Sequence, residues 1–129
     1  MILNDGTSAI TFTDHLVWSD EFAWSPVQQS QQYSIGGVLV IQEATKLSGR
    51  PITLTGNDQV WESREVVEAL HAASLLTFQQ FTLTLPDGSE KTVMFDKQNK
   101  PIETQALFAG QDGEATDQYI VNTLRFIEV

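Results

Sequence analysis

From Gln79 to Leu85 the chain alternates cleanly: Phe81, Leu83 and Leu85 fall on one face, Gln80, Thr82 and Thr84 on the other. A period of two is incompatible with a helix and describes a strand with one face in a core. Pro86-Asp87-Gly88-Ser89 follows, with proline pre-set for the first central position of a turn and Gly88 free to take positive φ. Lys91 to Asp96 then returns as the partner strand. A hairpin with one apolar face is marginal alone, so the rest of the chain must cover it.

Other segments read the same way. Met1 to Leu3 and Ala9 to Phe12 flank Asn4-Asp5-Gly6 and predict a first hairpin. Trp18 to Trp24 carries aromatics around Asp20-Glu21 and stops at Pro26. Gln28-Gln29-Ser30-Gln31-Gln32 is polar and too short for a disordered linker. Tyr33 to Gln42 is β-rich, and Gly36-Gly37 in its middle predicts a bulge or a close approach of another backbone. Pro51 to Thr55 is a strand ended by Gly56-Asn57-Asp58, and Ile102 to Phe108 is another. An acidic loop spans 110–117, and Tyr119 to Val129 is a long last strand with apolar residues on both faces. One helical pattern interrupts them. Over 63–75, Val66, Val67, Leu70, Ala73 and Ser74 share a face, Ser63 stands at the cap, and Glu65 suits the N-terminal dipole. The expected fold is one domain over 1–129, mainly β (α+β): an antiparallel β-sandwich or split barrel with one flanking helix at about 63–75.

Cysteine is absent, which excludes disulfides, thiolate metal sites and a thiol nucleophile. No apolar run approaches the roughly 18 residues of a membrane span, and the N-terminal residues lack a secretion signal, so a chain made and kept in solution is expected. The 129 residues carry 17 acidic and 7 basic side chains, a net charge of −10, and the first basic residue is Lys46. Such a field repels nucleic-acid phosphates and anionic lipid, which argues against tight binding of either. It serves solubility, and it equally suits a wall past which DNA slides without sticking.

No arrangement for catalysis emerges. His15 and His71 are isolated, and no metal-ligand spacing is present. Asp20 and Glu21, adjacent on a strand, would point to opposite faces and could not act together. There is no Gly-x-Ser-x-Gly elbow, and neither Gly36-Gly37 nor the glycines at 110 and 113 belong to a phosphate loop. No enzymatic activity, cofactor or metal is expected. Trp18, Phe22 and Trp24 are either core or the aromatic anchors of an interface. Arg50 either pairs locally with Asp58 or Glu43 or forks across a subunit boundary.

Three runs together, Trp18-Ser19-Asp20-Glu21-Phe22-Ala23-Trp24-Ser25-Pro26, Ser48-Gly49-Arg50-Pro51-Ile52-Thr53-Leu54-Thr55-Gly56 and Val60-Trp61-Glu62-Ser63-Arg64, resemble small tail proteins of long-tailed bacteriophages, the distal tail and minor tail (baseplate-hub) group. The likeness spans Trp18 to Leu76, about half of the chain. It implies a β-sandwich or split barrel with one helix, and a non-enzymatic homo-oligomeric ring, six-fold in most and three-fold in some hub parts. Such rings join the tail tube to the baseplate and line the DNA conduit. The large carbohydrate-binding domain of some distal tail proteins has no counterpart in this sequence, which favours a compact connector.

The expected partners are therefore further copies of the chain and neighbouring tail tube and baseplate or hub proteins. The expected location is the virion tail, after synthesis in the host cytoplasm. Expected subunit-interface residues are Trp18, Phe22, Trp24, Gly36, Gly37, Arg50, Tyr119 and Val121. Asp5, Asp14, Asp20 and Glu21 are expected to face the lumen. A different class of function is the alternative: a small acidic phage-encoded inhibitor or decoy that covers a basic surface of a host protein.

Overall fold

The computed structural model describes residues 1–107 and 117–129. The predicted acidic loop and Phe108 fall outside them, Asp117 excepted. Eleven strands and one helix follow in the order β1 (Ile2–Asn4), β2 (Ala9–Thr11), β3 (Val17–Trp18), β4 (Val27–Tyr33), β5 (Leu39–Thr45), β6 (Pro51–Thr55), β7 (Trp61–Ser63), α1 (Arg64–Ser74), β8 (Phe81–Thr84), β9 (Glu90–Phe95), β10 (Ile102–Ala106) and β11 (Gln118–Glu128). Every pairing is antiparallel. The chain is mostly β with one short helix, as its sequence predicts.

Nine strands form one sheet in the order β2-β1-β8-β9-β11-β6-β3, with β7 and β10 also paired to β11. That sheet folds back on itself. Trp18 and Leu54 at its β3–β6 end line the same cleft as Met1, Leu85 and Pro86 at its β1–β8 end. The enclosed core contains Leu3, Ile52, Leu54, Leu70, Leu83, Val93, Val121, Leu124 and Phe126, all essentially inaccessible. Phe95 ties two strands together, edge-on to Phe81 at 5.6 Å and tilted over Phe126 at 4.7 Å.

The alternating hairpin behaves as its pattern requires. Phe81, Leu83 and Leu85 are buried, their polar neighbours are not, and Gly88 takes φ +87° in the turn. Leu83 is 0% exposed and faces a closed core, so Leu83→Ala removes apolar contacts and leaves a cavity. The expected cost is about 2–5 kcal/mol, readable by denaturant unfolding. An unchanged midpoint would mean that this strand is not central to the fold.

Helix α1 packs on β2, β7 and β11. Leu70, Ala73 and Ser74 are buried, and Val66 and Val67 lean on the same core. Ser63 occupies the cap position with extended backbone, yet its side chain makes no cap hydrogen bond, contrary to the sequence expectation. The first turn is held instead by Arg64, whose backbone N–H donates to the Asp117 carbonyl and whose Nε donates to Glu68 Oε1 at 2.7 Å.

β11 is the central strand, flanked by β10 and β9 on one side and by β7 and β6 on the other. Its pairing with β10 slips between Glu103 and Thr104, leaving Asn122 as the extra residue of a bulge. The bulge changes which alternate residues face inward. Val121 before it and Leu124 and Phe126 after it all reach one core. Those three form a single buried set, while Tyr119, Ile120 and Ile127, apolar as well, are only half-buried.

The β1–β2 turn is built around the Asp5 carboxylate. It accepts from the backbone N–H of Thr7 at 2.8 Å and of Ser8 at 2.7 Å, and from the Thr7 hydroxyl. These donors favour the charged form and hold its pKa down to about 2. A carboxylate depressed by folding stabilises above its unfolded pKa of about 3.9, and that contribution is lost as pH falls from about 4 to about 2. Asp5→Asn should therefore show a smaller loss of thermal midpoint across that window than the parent chain. An identical acid limb in both would disprove the role of the turn.

Candidate functional site

β4 and β5 stand apart from the body. They pair only with each other, in a register from Val27↔Thr45 to Tyr33↔Leu39, and form a sheet separate from the nine-stranded one. All of residues 25–49 are exposed. Each strand has seven residues, so the arm extends about 23 Å. A two-stranded ribbon in water is marginal. Here it is held at its root, where the Lys46 N–H donates to the Pro26 carbonyl at 2.6 Å and the Lys46 ammonium lies 5.5 Å from the Trp24 ring.

The register decides which side chains share a face. Paired residues lie together, so Val27, Gln29, Gln31 and Tyr33 join Leu39, Ile41, Glu43 and Thr45 on one side. The root half of that face is polar, with Gln29 donating to Glu43 and Gln31 to Gln29. The outer half is apolar. Tyr33, Leu39 and Ile41 lie together, and Ile35 and Val38 flank the turn beyond them, all exposed. Polar glutamines suit a solvated strand, whereas an exposed cluster of Tyr, Leu, Ile and Val is uncommon on a monomer's surface.

Gly36 and Gly37 do not lie in the middle of a strand. They belong to the turn between β4 and β5, where the Ser34 N–H donates to the Val38 carbonyl at 2.8 Å and Gly37 takes φ +82°. Within the chain no other backbone approaches either glycine: nothing lies within 4 Å of a Cβ placed at Gly37, and only the Ser34 hydroxyl, at 3.9 Å, lies near one at Gly36. The close approach is at Gly56 instead: a Cβ on that residue would stand 2.4 Å from the Val121 carbonyl oxygen.

The remaining expected interface residues divide. Phe22 is 92% exposed and available. Trp18 is half-buried against the core, with the Arg50 guanidinium 4.6 Å from its ring centre. Arg50 donates through Nη2 to the Glu21 carbonyl at 2.6 Å, and its Nε is buried; it pairs with neither Asp58 nor Glu43. Trp24 is half-buried beneath Lys46 at the root of the arm. The Tyr119 hydroxyl accepts from Arg64 Nη1 at 2.5 Å. Val121 is 1% exposed and belongs to the core, which removes it from any interface.

Of the four expected lumen acids, three are engaged within the chain. Asp5 organises its turn, Asp14 pairs with the Met1 amine, and Asp20 accepts from the Thr53 N–H at 3.0 Å and hydroxyl at 2.8 Å. Asp20 and Glu21 lie in the turn after β3, not on a strand as expected from the sequence. Glu21 lines the cleft at the sheet's meeting ends. His15 and His71 are both exposed. Among the described residues no three His, Cys, Asp or Glu side chains converge on a metal-sized site, and no helix is long and apolar enough to cross a membrane.

A second exposed apolar patch closes α1. Leu75, Leu76 and Phe78 are exposed immediately after the helix, and Phe78 takes φ +57°. A left-handed conformation at a bulky residue costs about 1–2 kcal/mol and is rare without a reason. A groove of about 320 Å³, lined by Ile10, Ala69, Ala72, Leu76 and Phe81 together with Asp5 and Ser8, runs along one side of this end of the helix. A wider one of about 560 Å³, between Leu75, Ile102, Lys97 and Lys100, runs along the other. Lys97 Nζ donates to the Leu76 carbonyl.

Comparison with protein-family models, with curated proteins and with solved structures finds no match.

Proposed function

We propose that this chain is a non-enzymatic structural protein of a bacteriophage tail. It forms a homo-oligomeric ring, six-fold, that connects the tail tube to the baseplate or tail tip and lines the DNA conduit. The observation that carries the reading is the arm of β4 and β5, exposed along its whole length and apolar at its end. A monomer gains nothing by holding Tyr33, Leu39 and Ile41 in water, whereas an assembly part gains an anchor. The resemblance of Trp18–Pro26, Ser48–Gly56 and Val60–Arg64 to small tail proteins supports the same reading. The net charge of −10 suits a conduit that must not retain DNA. The arm's end carries apolar side chains and no charge, a poor match for a decoy that works by covering a basic surface.

Virions that carry the chain test this directly. Labelling or cryo-electron microscopy should place it as a ring on the tail axis. Its absence from virions, or its presence as single copies off the axis, would refute the assignment.

A further inference from the structure

Resting on the ring reading above, we propose that the arms pair edge to edge: β5 of one copy adds as a strand to β4 of the next copy's arm, and the backbone supplies the contact. Both edges of the arm are open, since β4 and β5 pair only with each other. Backbone hydrogen bonds at its two ends fix which groups point where. The Lys46 N–H donates to the Pro26 carbonyl at the root, and the Ser34 N–H donates to the Val38 carbonyl at the tip. In an antiparallel ladder such pairs alternate with pairs whose N–H and C=O groups point away from the partner strand. In the register of the arm, even-numbered residues therefore bond inward. Odd-numbered ones, Gln29 and Gln31 on β4 and Ile41 and Glu43 on β5 among them, present donors and acceptors to the open edges.

Folded proteins blunt such edges with short strands, bulges, prolines or charge. The body does so: its sheet ends in β2, of three residues, and β3, of two. The arm does not. Its strands have seven residues each in an unbroken register, residues 27–45 contain no proline, and Glu43 is their only charge. A ribbon of two strands is also marginal until further strands join it. The partner is a second copy on two grounds. Bodies of net charge −10 repel each other, and the arm is where copies meet with the least charge brought together. The side chains match as well when arms lie level and point the same way, which sets β5 antiparallel to the neighbouring β4. Repeating the arm's own register across the contact puts Leu39 opposite Tyr33 of the next copy, and Glu43 opposite Gln29, the side chain that already donates to it within the chain. A two-fold pairing of β5 with β5 centred on Gln42 would instead set Ile41 against Glu43. Level pairing uses a different edge of each partner, so it propagates from copy to copy and forms a ring when the rotation closes.

Proline tests the edges one at a time. Gln31→Pro removes an outward N–H from β4 and Ile41→Pro removes one from β5, and neither breaks a hydrogen bond within the arm. Gln31→Ala and Ile41→Val change the side chains and keep the N–H groups. Thermal melts establish that all four full-length variants keep the fold of the body. Native mass spectrometry of each, at about millimolar concentration, then reads assembly. Each proline variant alone should stay monomeric, its association weakened about tenfold or more by the lost donor. Both controls should assemble as the parent does. An equimolar mixture of the two proline variants should give a heterodimer, joined through the one intact β5 edge and the one intact β4 edge. Rings formed by either proline variant as readily as by the parent remove edge pairing and leave the ring standing. Assembly lost equally in the controls, or a homodimer of one proline variant as the main product, also overturns the proposal: the first makes the contact one of side chains, the second one of like edges. A parent chain that stays monomeric under the same conditions removes both this pairing and the ring.

Discussion

Replacing residues 29–43 by Asn-Gly is expected to abolish assembly while leaving the fold intact. The replacement keeps the Gln28↔Ala44 pair and closes it with a two-residue turn suited to a hairpin. Everything removed is exposed in the monomer. The thermal midpoint should therefore move by less than about 3 °C, the scale of ordinary surface changes in a domain of this size. Assembly, by contrast, should be lost completely at concentrations where the intact chain forms rings, because the apolar anchors Tyr33, Leu39 and Ile41 are gone. Sedimentation velocity and a thermal melt on the same preparation read both. A large fall in midpoint would show that the arm belongs to the folding unit. Unaltered assembly would show that it is not the anchor.

The second large effect lies in the core. Gly56→Ala is expected to cost about 3 kcal/mol or more, a fall of about 10 °C in midpoint. The reason is steric. A Cβ at residue 56 would stand 2.4 Å from the Val121 carbonyl oxygen and 3.0 Å from Val60 Cβ. Neither neighbour is free to give way: the Gly56 N–H donates to the Asn122 carbonyl at 2.9 Å, and the Val121 N–H donates to the Val60 carbonyl at 2.9 Å. The two bonds clamp the turn after β6 to the bulge in β11. Gly36→Ala, whose Cβ would meet only the Ser34 hydroxyl at 3.9 Å, should be neutral within about 0.5 kcal/mol. Equal midpoints for the two variants would contradict the packing described around Gly56.

That contrast shows where the sequence is legible. A double glycine in a β-rich run suggests a close backbone approach, yet at Gly36-Gly37 the cause is a turn, and the close approach belongs to a single glycine twenty residues later. The turn could have been found. Glycine pairs between two strands are a hairpin signal, but Gln28 to Gln32 shows no alternation because neither face of β4 is buried, so the first strand of the arm gives no periodic pattern. Strands with one face in the core, β8 and β9 above all, are legible from alternation and turn chemistry. So is α1, because its apolar stripe meets β2, β7 and β11.

The rest depends on tertiary structure. Slippage of β11 against β10 at Asn122 lets residues of both parities enter one core, which alternation alone reads as two apolar faces. Val121 moves from expected interface to core for that reason. The expected anchors Trp18 and Arg50 are instead stacked on each other near the sheet's meeting ends. The exposed patch at Leu75, Leu76 and Phe78 carries no motif, and the conformation of Phe78 is a property of the folded backbone. Phe22 and the Gly36-Gly37 turn are the expected interface residues that the fold leaves exposed.

Copies of this chain joining into a closed ring are the core of the proposed function, and the mass of the assembled species tests it most directly. Native mass spectrometry of the full chain, raised stepwise to about millimolar concentration, should show the 14.4 kDa monomer giving way to a species of six times that mass. A population that stays at 14.4 kDa throughout, or that stops at a dimer, would contradict it.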